Sequence, residues 1–399
     1  MMKLRGGASS NGSRAYLAAL DSRVLIGFDP VHTLSRLDQT ELVKSHMRSI
    51  YNIPESREYM SSGYPSEPVL SEAAGRILNS SPDKPIDDKA PEILLSIQNN
   101  GLLAKGERGE LVARTLLTVA HDKAANDPST SWTAHTQYHR PIKLMDFLKN
   151  LLAPEVLEKV CEATPFRAYP GALKLEAAFA DAWINFSHFV RLGDYKSFDF
   201  RCATELLERG AAIQTYDCQP DQDLAIPLHN GDVGSVIDLK TTSGIQVQVR
   251  NVRNPSPVVP KLSLIGECPA GLPMLSIVMQ LGVDDDYKGP LVEVITELKG
   301  GSTPAGNTRS TESDLEADVE RRHYIIVLYG YTEQTYPCIG MHASEYHSLL
   351  RTERFPFDGY PRGSQTTDLK RNRTMFDDAV HELKSMVYLY DPSCMAWQD

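Results

Sequence analysis

Residues 219–251 read QPDQDLAIPLHNGDVGSVIDLKTTSGIQVQVRN, and this stretch decides the fold. DLAIPLHN, SVIDL and GIQVQVRNV are short apolar or alternating runs, the pattern of consecutive β-strands. In GIQVQVRNV the two-residue period puts Gln246, Gln248 and Arg250 on one face and Val247 and Val249 on the other. An isolated acid, Asp223, heads the apolar run LAIPL. More than a hundred residues earlier, GERGELVARTLLTVAHD (106–122) is the best helix of the chain. Steps of 100° gather Val112, Ala113, Leu116, Val119 and Ala120 on one side. Glu107, Glu110, Arg114, Thr118 and His121 fall on a polar stripe opposite.

The rest of the chain is organised around these two stretches. Residues 1–14 are Gly/Ser-rich and are expected to be disordered. Residues 15–100 form a helical N-terminal region, with LDQTELVKSHMRSIY and PSEPVLSEAAGRILN as helices. The second starts at Ser66 ahead of Pro68, a sound helix N-terminus. Residues 101–300 are the expected core. They contain the long helix, the helical runs PIKLMDFLKNLL and PEVLEKVCEA, and the mixed segment LKLEAAFADAWINFSHFVRLGD. ATELLERG closes a helix at Gly210, where a C-terminal glycine belongs. AAIQTY, LPMLSIVMQLGV and PLVEVITEL read as strands or buried segments. Residues 300–321 are a polar, flexible loop. Residues 322–399 then supply a strand, HYIIVLYGY, and helices that complete or pack on the core. Helices, a cluster of strands and then alternating elements predict an α+β (α/β-like) fold, a mixed sheet flanked by helices.

Composition narrows the function. The chain has 399 residues, 41% of them hydrophobic, enough for substantial cores. A net charge of −11 excludes nonspecific coating of nucleic acid. It leaves room for a carboxylate-lined cleft that is basic only locally. The six cysteines show no CxxC pair, which fits free thiols in a reducing compartment. Cys338 and His342 have the spacing of half a zinc site, with no second half nearby. The N-terminal residues lack the apolar core of a secretory signal, and no run approaches the length of a membrane span. The expectation is an intracellular protein, cytoplasmic or nuclear, without membrane contact. No GxxxxGK[ST] occurs, so nucleoside triphosphates are not expected as ligands.

A helix Glu, a strand Asp and an acid-or-amide-x-base tripeptide on the next strand are the parts of a restriction-endonuclease-like metal site. A hard cation there, Mg²⁺ or Mn²⁺, polarises the phosphate, acidifies an attacking water and shields the leaving oxygen. A basic side chain stabilises the developing charge. Asp223 suits the first ligand, because an unpaired acid ahead of an apolar run is unlike a core residue. It reads equally as an exposed strand-start Asp. Glu110 suits the helix-borne ligand, with Glu107 as a substitute. Glu110 and Arg114 also read as an i,i+4 pair on an exposed helix, and His121 as a surface histidine. Two tripeptides compete for the third element. Asp238-Leu239-Lys240 offers a metal ligand, Asp238, and a base, Lys240, or simply a lysine in a turn. Gln248-Val249-Arg250 lies in the better strand.

Several ordered blocks carry a family resemblance: SHMRSIYNIPESREYMSSGYPSEPVLSEAA, GERGELVARTLLTVAHD, YHRPIKLMDFLKNLL, FSHFVRLGD, LLERGAAIQTYDCQPDQDLAIP and GIQVQVRN. From about Leu37 to about Met341 the chain resembles a large, expanded family of mostly uncharacterised fungal proteins. That family is related to the C-terminal portion of Crinkler-type effectors. The resemblance implies a restriction-endonuclease-like, PD-(D/E)XK-type fold. It places the family's helix Glu on Glu110 and its strand Asp on Asp223. Its Q-V-K tripeptide falls on Gln248, Val249 and Arg250, so an arginine stands where the family has lysine. A planar guanidinium is no conservative stand-in for a compact ammonium.

Two functions follow as expectations. One is a Mg²⁺-dependent (or Mn²⁺-dependent) phosphodiesterase acting on nucleic acid, DNA and RNA being equally compatible. Glu110 and Asp223 would hold the metal, Gln248 would help position it, and Arg250 or Lys240 would be the basic partner. The other is a catalytically degraded nuclease-fold module that binds nucleic acid or protein. The retained acids favour the first; the QVR tripeptide and the acidic net charge favour the second.

Overall fold

The computed structural model describes residues 12–351, apart from 30–32, 58, 81–85, 101, 104–107, 129–135, 193–199, 216–221, 256–268, 270, 284–286 and 298–321. Helices α1 (Gly12–Val24) and α2 (Thr33–Ser45) come first, followed by a short antiparallel pair, β1 (Ser49–Asn52) with β2 (Ser61–Gly63). Helix α1 begins within the stretch expected to be disordered. The β1–β2 pair is also new, since the helix expected at LDQTELVKSHMRSIY covers Ser49 to Tyr51. Its residues are mostly exposed and show little apolar alternation, so period-based reading had nothing to detect. Helices α3 (Pro68–Leu78) and α4 (Ile86–Asn99) lead to α5 (Arg108–Ala125). Pro68 opens α3, where a missing N–H is harmless.

Helix α5 corrects the two-faced reading. Fifteen of its residues are buried, and Arg114, Thr118 and His121 of the polar stripe are among them. Helix α6 (Leu144–Leu151) and α1 both pack on it, so most of its surface is enclosed. The buried polar groups are partnered from neighbouring elements. Arg114 donates from Nε to the Val24 carbonyl at 2.7 Å and from Nη2 to the Leu25 carbonyl at 3.0 Å. Asp122 receives a two-pronged ion pair from Arg23 of α1, at 2.6 and 2.7 Å. Thr115 and Thr118 turn their hydroxyls back to carbonyls one turn earlier. His121 is fully buried against Phe186, and not a surface residue.

The remaining elements build one mixed sheet with helices against it. Strand β3 (Ile142–Lys143), α6, α7 (Pro154–Cys161), α8 (Leu175–Ala178), β4 (Ala182–Ile184), β5 (His188–Arg191), α9 (Phe200–Arg209) and β6 (Ala211–Gln214) follow in turn. Gly210, with φ +62°, takes the left-handed turn from α9 into β6, and a side chain there would also strike His139. Then come β7 (Leu224–Asn230), β8 (Thr242–Arg250), β9 (Pro273–Gln280), β10 (Val292–Val294), β11 (Arg322–Tyr329) and α10 (Ala343–Leu350). The main path of the sheet runs β10-β11-β9-β8-β7-β4-β3. β7 and β8 are antiparallel, whereas β8, β9 and β11 are parallel to one another. β9 is buried along its whole length, as a central parallel strand should be.

The sheet forks at β7. Its first residues, Leu224 and Ala225, pair with β6, and its last, Leu228 to Asn230, pair with β4. Pro227, which cannot donate to a ladder, falls between the two partners. A continuous core joins residues of α1, α3, α4, α5, α6 and α10 to one face of the sheet. The segment expected as a strand at SVIDL is instead an exposed loop between β7 and β8. Val236 is 77% exposed there, so its apolar letters carry no burial. The last helix read from the sequence, MFDDAVHELKSMVYLY, lies outside the described residues, as do Glu107 and the loop at 300–321.

Candidate functional site

The N-terminus of α5 sits against the end of β8. A Cβ added to Gly109 would lie 3.0 Å from Asn251 Cβ and 3.5 Å from Val249 Cγ1, so a small residue is needed for this approach. The approach sets Glu110 at the edge of the sheet. Gln214 donates from Nε2 to Glu110 Oε2 at 3.3 Å, and Arg114 Nη1 stands 3.5 Å from the same oxygen. The carboxylate keeps 29% of its side-chain exposure, unlike the fully enclosed Arg114. The pair expected on an exposed helix therefore has only one accessible member.

Gln214 links Glu110 to Asp223. It is the last residue of β6 and stands opposite Leu224. The next residue, Thr215, donates its N–H to the Asp223 carbonyl at 2.9 Å. Asp223 is half-buried. Its N–H donates to the Val247 carbonyl, and its Oδ2 accepts the Val249 N–H at 2.5 Å. Asp223 thus lies along the backbone of β8, beside Gln248-Val249-Arg250. Glu110, Gln214, Asp223 and that tripeptide all belong to one end of the sheet.

The two faces separate some of these groups. Ile245 and Val247 belong to the core shared with α5, and Val249 packs against it. Gln246 lines a small crevice with Phe200 and Ala203 of α9, on the opposite face. Alternation carries Gln248 and Arg250 to that α9 face. Glu110 and the tripeptide's polar side chains therefore approach from opposite faces, around the ends of the strands.

Asp238 and Lys240 are corrected out of the site. They lie exposed in the β7–β8 loop, where Asp238 Oδ1 accepts the N–H groups of Lys240 and Thr241 at 2.8 and 3.0 Å. That is a self-contained turn built by an Asp side chain. Seven residues of β7 separate this loop from Asp223, roughly 20 Å at strand rise.

A cleft of about 540 Å³ opens beside Gln214, the residue that bonds Glu110. Gln214 lines it, as does Leu25, whose carbonyl holds Arg114. Its other wall is the β1–β2 pair with Arg48. That guanidinium is ion-paired to Asp21, donates from Nη2 to the Ser62 carbonyl at 2.6 Å and lies over the Phe28 ring at 4.8 Å. Burial pushes its pKa down to about 10, with the phenols of Tyr64 and Tyr51 opposing. Arg191, exposed at the end of β5, stands opposite Gln214 in the parallel ladder and also lines the cleft. Sequence reading missed Gln214, Arg191 and Arg48. For Gln214 a signal existed, a lone amide in the apolar strand AAIQ. For the arginines there was none, because pairing across the fold selects them.

The donor chemistry suits a hard cation only modestly. Two carboxylates, Glu110 and Asp223, lie at one sheet end with amide and backbone oxygens around them, the oxygen ligands Mg²⁺ prefers. Among the described residues no group of three or more His, Cys, Asp or Glu side chains is arranged to hold a metal ion. Cys338 is buried, its thiol pushed up to about 12 by burial, and His342 bonds to Asp88 at 2.9 Å, so neither reads as half of a zinc site. No helix among the described residues is long and apolar enough to cross a membrane.

Residues 8–149 match a family model described as a domain of unknown function (DUF8736). No curated protein and no solved structure matches the chain. The matched span runs from α1 into α6 and so includes Glu110, the cleft wall with Arg48, and the Arg23–Asp122 pair. It ends before the strands that carry Asp223 and Arg250.

Proposed function

We propose that this chain is a divalent-metal-dependent phosphodiesterase that acts on nucleic acid and is built on a restriction-endonuclease-like sheet. The observation that carries the reading is the Gln214 link. It ties Glu110 on the long helix to the strand pair that positions Asp223, beside Gln248-Val249-Arg250. In this reading Glu110 and Asp223 would share a Mg²⁺ or Mn²⁺ that polarises the scissile phosphate and activates a water. Gln214 orients Glu110. Arg250 would meet the phosphate as a fixed positive charge, because a guanidinium stays protonated and cannot serve as a base. The site's distance from the β7–β8 loop leaves Asp238 and Lys240 no part in it. The resemblance to the fungal Crinkler-related family supports the same choice of chemistry.

A second reading has its own observation. The acids already have protein partners, and Gln248 and Arg250 lie on the sheet face away from α5. A nuclease-derived binding module without turnover fits that arrangement.

The test is to incubate the purified chain with single- and double-stranded DNA and RNA, with Mg²⁺, with Mn²⁺ and with chelator. The expected result is metal-dependent cleavage that Asp223→Ala and Glu110→Gln each reduce at least a hundredfold, at unchanged melting temperature. Intact substrate under every condition, with measurable retention of nucleic acid, would select the module.

A further inference from the structure

The sequence marks Ser66 as the start of α3, but its hydroxyl does not cap that helix. Glu67 is the N-cap residue, and no side chain accepts a hydrogen bond there. Ser66 Oγ instead stands 2.8 Å from Nε2 of His188, a buried residue of β5. Nδ1 of the same ring lies 3.2 Å from the Ser187 hydroxyl, which also reaches the Gly210 carbonyl at 3.4 Å. Ser187 has one hydroxyl proton, so it keeps both contacts only by donating to the carbonyl and accepting from Nδ1–H. That tautomer leaves Nε2 as an acceptor, and the Ser66 hydroxyl donates to it.

Neighbouring elements hold the dyad in place. Arg23 donates from Nε to the Ser187 carbonyl at 2.8 Å, and its own charge is met by Asp122. Arg209 donates from Nη2 to the Ser66 carbonyl at 2.5 Å. On its open side, half-buried Ser66 lines the cleft of about 540 Å³, within the roughly 300–1,000 Å³ of small-molecule sites. Phe28, Tyr51, Met60 and Tyr64 give that cleft an apolar, aromatic wall. A serine bonded to a histidine whose second nitrogen is held by a third group is the arrangement of an activated nucleophile.

We propose that Ser66 is the nucleophile of an esterase site, with His188 as its general base and Ser187 as the group that orients the ring. The substrate class is a carboxylic ester whose apolar or aromatic part lies against Tyr51 and its neighbours. Ser66 Oγ attacks the ester carbonyl carbon, and its proton passes to His188 Nε2. The tetrahedral adduct expels the alcohol, which takes that proton, and the acyl group stays on Oγ. Water attacks the acyl carbon in the same way, releases the carboxylic acid and restores the hydroxyl. A ring so buried, beside Arg23, is a weak base and cannot ionise the free hydroxyl. It accepts the proton as the Oγ–C bond forms and the hydroxyl hydrogen becomes acidic. Where a triad has a carboxylate, this site has the Ser187 hydroxyl, which gives an imidazolium no countercharge. Turnover is therefore expected to be slow, and transfer to Ser66 is the step to read. None of these groups takes part in the phosphodiester chemistry of Glu110 and Asp223.

The purified chain, in chelator, is treated with a fluorophosphonate, which forms an Oγ–P bond and releases fluoride. The modified residue is mapped by peptide mass spectrometry, and hydrolysis of p-nitrophenyl butyrate is followed alongside. The phosphonate should sit on Ser66 and form at least about tenfold faster than in the urea-unfolded chain. Ser66→Ala should abolish that modification and lower ester hydrolysis about tenfold or more, at unchanged melting temperature. His188→Gln keeps hydrogen-bonding capacity but removes the ring, and should slow the labelling of Ser66 by a similar factor in folded protein. Asp223→Ala should change neither reaction. No phosphonate on Ser66 overturns the proposal, as does labelling of folded and unfolded chains at one rate. Ester hydrolysis that Ser66→Ala leaves intact overturns it equally.

Discussion

At the scale of single residues, burial decides what an ionisable group does. Glu110 and Asp122 are both acids of α5, twelve positions apart. Asp122 is fully enclosed. Burial alone would raise its pKa, but the charge and hydrogen bonds of Arg23, helped by His121, outweigh this and hold it below the usual carboxylate range. Such a pair is committed to structure, because removing one partner strands the other in the core. Glu110 keeps access to solvent, with Gln214 and Arg114 both at its Oε2. The same contrast separates Asp223 from Asp238. Asp238 spends its carboxylate on its own turn, in an exposed loop. Asp238→Ala and Lys240→Ala should therefore leave nucleic-acid cleavage within twofold of wild type in the same assay that Asp223→Ala abolishes. A hundredfold loss in either loop variant would return Asp238-Leu239-Lys240 to the site.

At the scale of elements, the placement of the site depends on how closely α5 approaches the end of β8. Gly109 permits that approach, since any side chain there meets Asn251 and Val249. Gly109→Val should push the helix N-terminus outward. Overpacking of this kind costs about 1–3 kcal/mol, to be read from denaturant unfolding. Because Glu110 is the next residue, cleavage should fall by more than the loss of folded protein explains. An unchanged specific activity of the folded fraction would mean that Glu110 does not depend on this contact. The element scale also separates the legible from the illegible. The strands β6, β7, β8, β9 and β11 could be read from their apolar runs, and so could α3, α6, α7 and α9 from their spacing and punctuation. The β1–β2 pair could not, because its residues are exposed and its ladder is short. SVIDL misled for the opposite reason: apolar residues in a loop mimic a strand when burial is unknown.

At the scale of the whole molecule, one core ties the N-terminal helices to the sheet, and it encloses several histidines. Burial drives His188 and His323 down to about 3, the charges of Arg23, His139 and Arg209 adding to the effect at His188. His121 and His139 are lowered by burial as well. These groups are neutral in the folded chain and bind a proton near pH 6.5 in the unfolded one. Below that pH the unfolded state holds more protons, so acid favours unfolding. The contribution of His188 and His323 to stability is complete above about pH 6.5 and falls as the pH is lowered toward 3. Each such histidine adds a slope of about 1.4 kcal/mol per pH unit over that window. The melting temperature should be flat from pH 7 to 8 and drop steadily from pH 6.5 to 4. His323→Gln should flatten the drop, its Nε2 partner Ser276 being suited to an amide. A melting temperature that is level down to pH 4 would contradict the buried, neutral assignment.

The sequence by itself determined the element types of the central sheet and the long helix, with Glu110 on that helix and Asp223 at the head of a strand. These follow from periodicity and from the cost of placing a lone acid beside apolar residues, which are local properties. Tertiary structure alone decided that α5 is enclosed over most of its surface, that Asp238 and Lys240 lie a strand's length from Asp223, and that Gln214 joins Glu110 to the strand pair of Asp223. It also decided that Gln248 and Arg250 turn toward α9, and that Arg191 and Tyr51 share a cleft beside Gln214. The reason is that pairing register, sheet face and helix approach are relations between segments distant in the chain. Local sequence fixes the period of each segment but not which of its faces meets a neighbour.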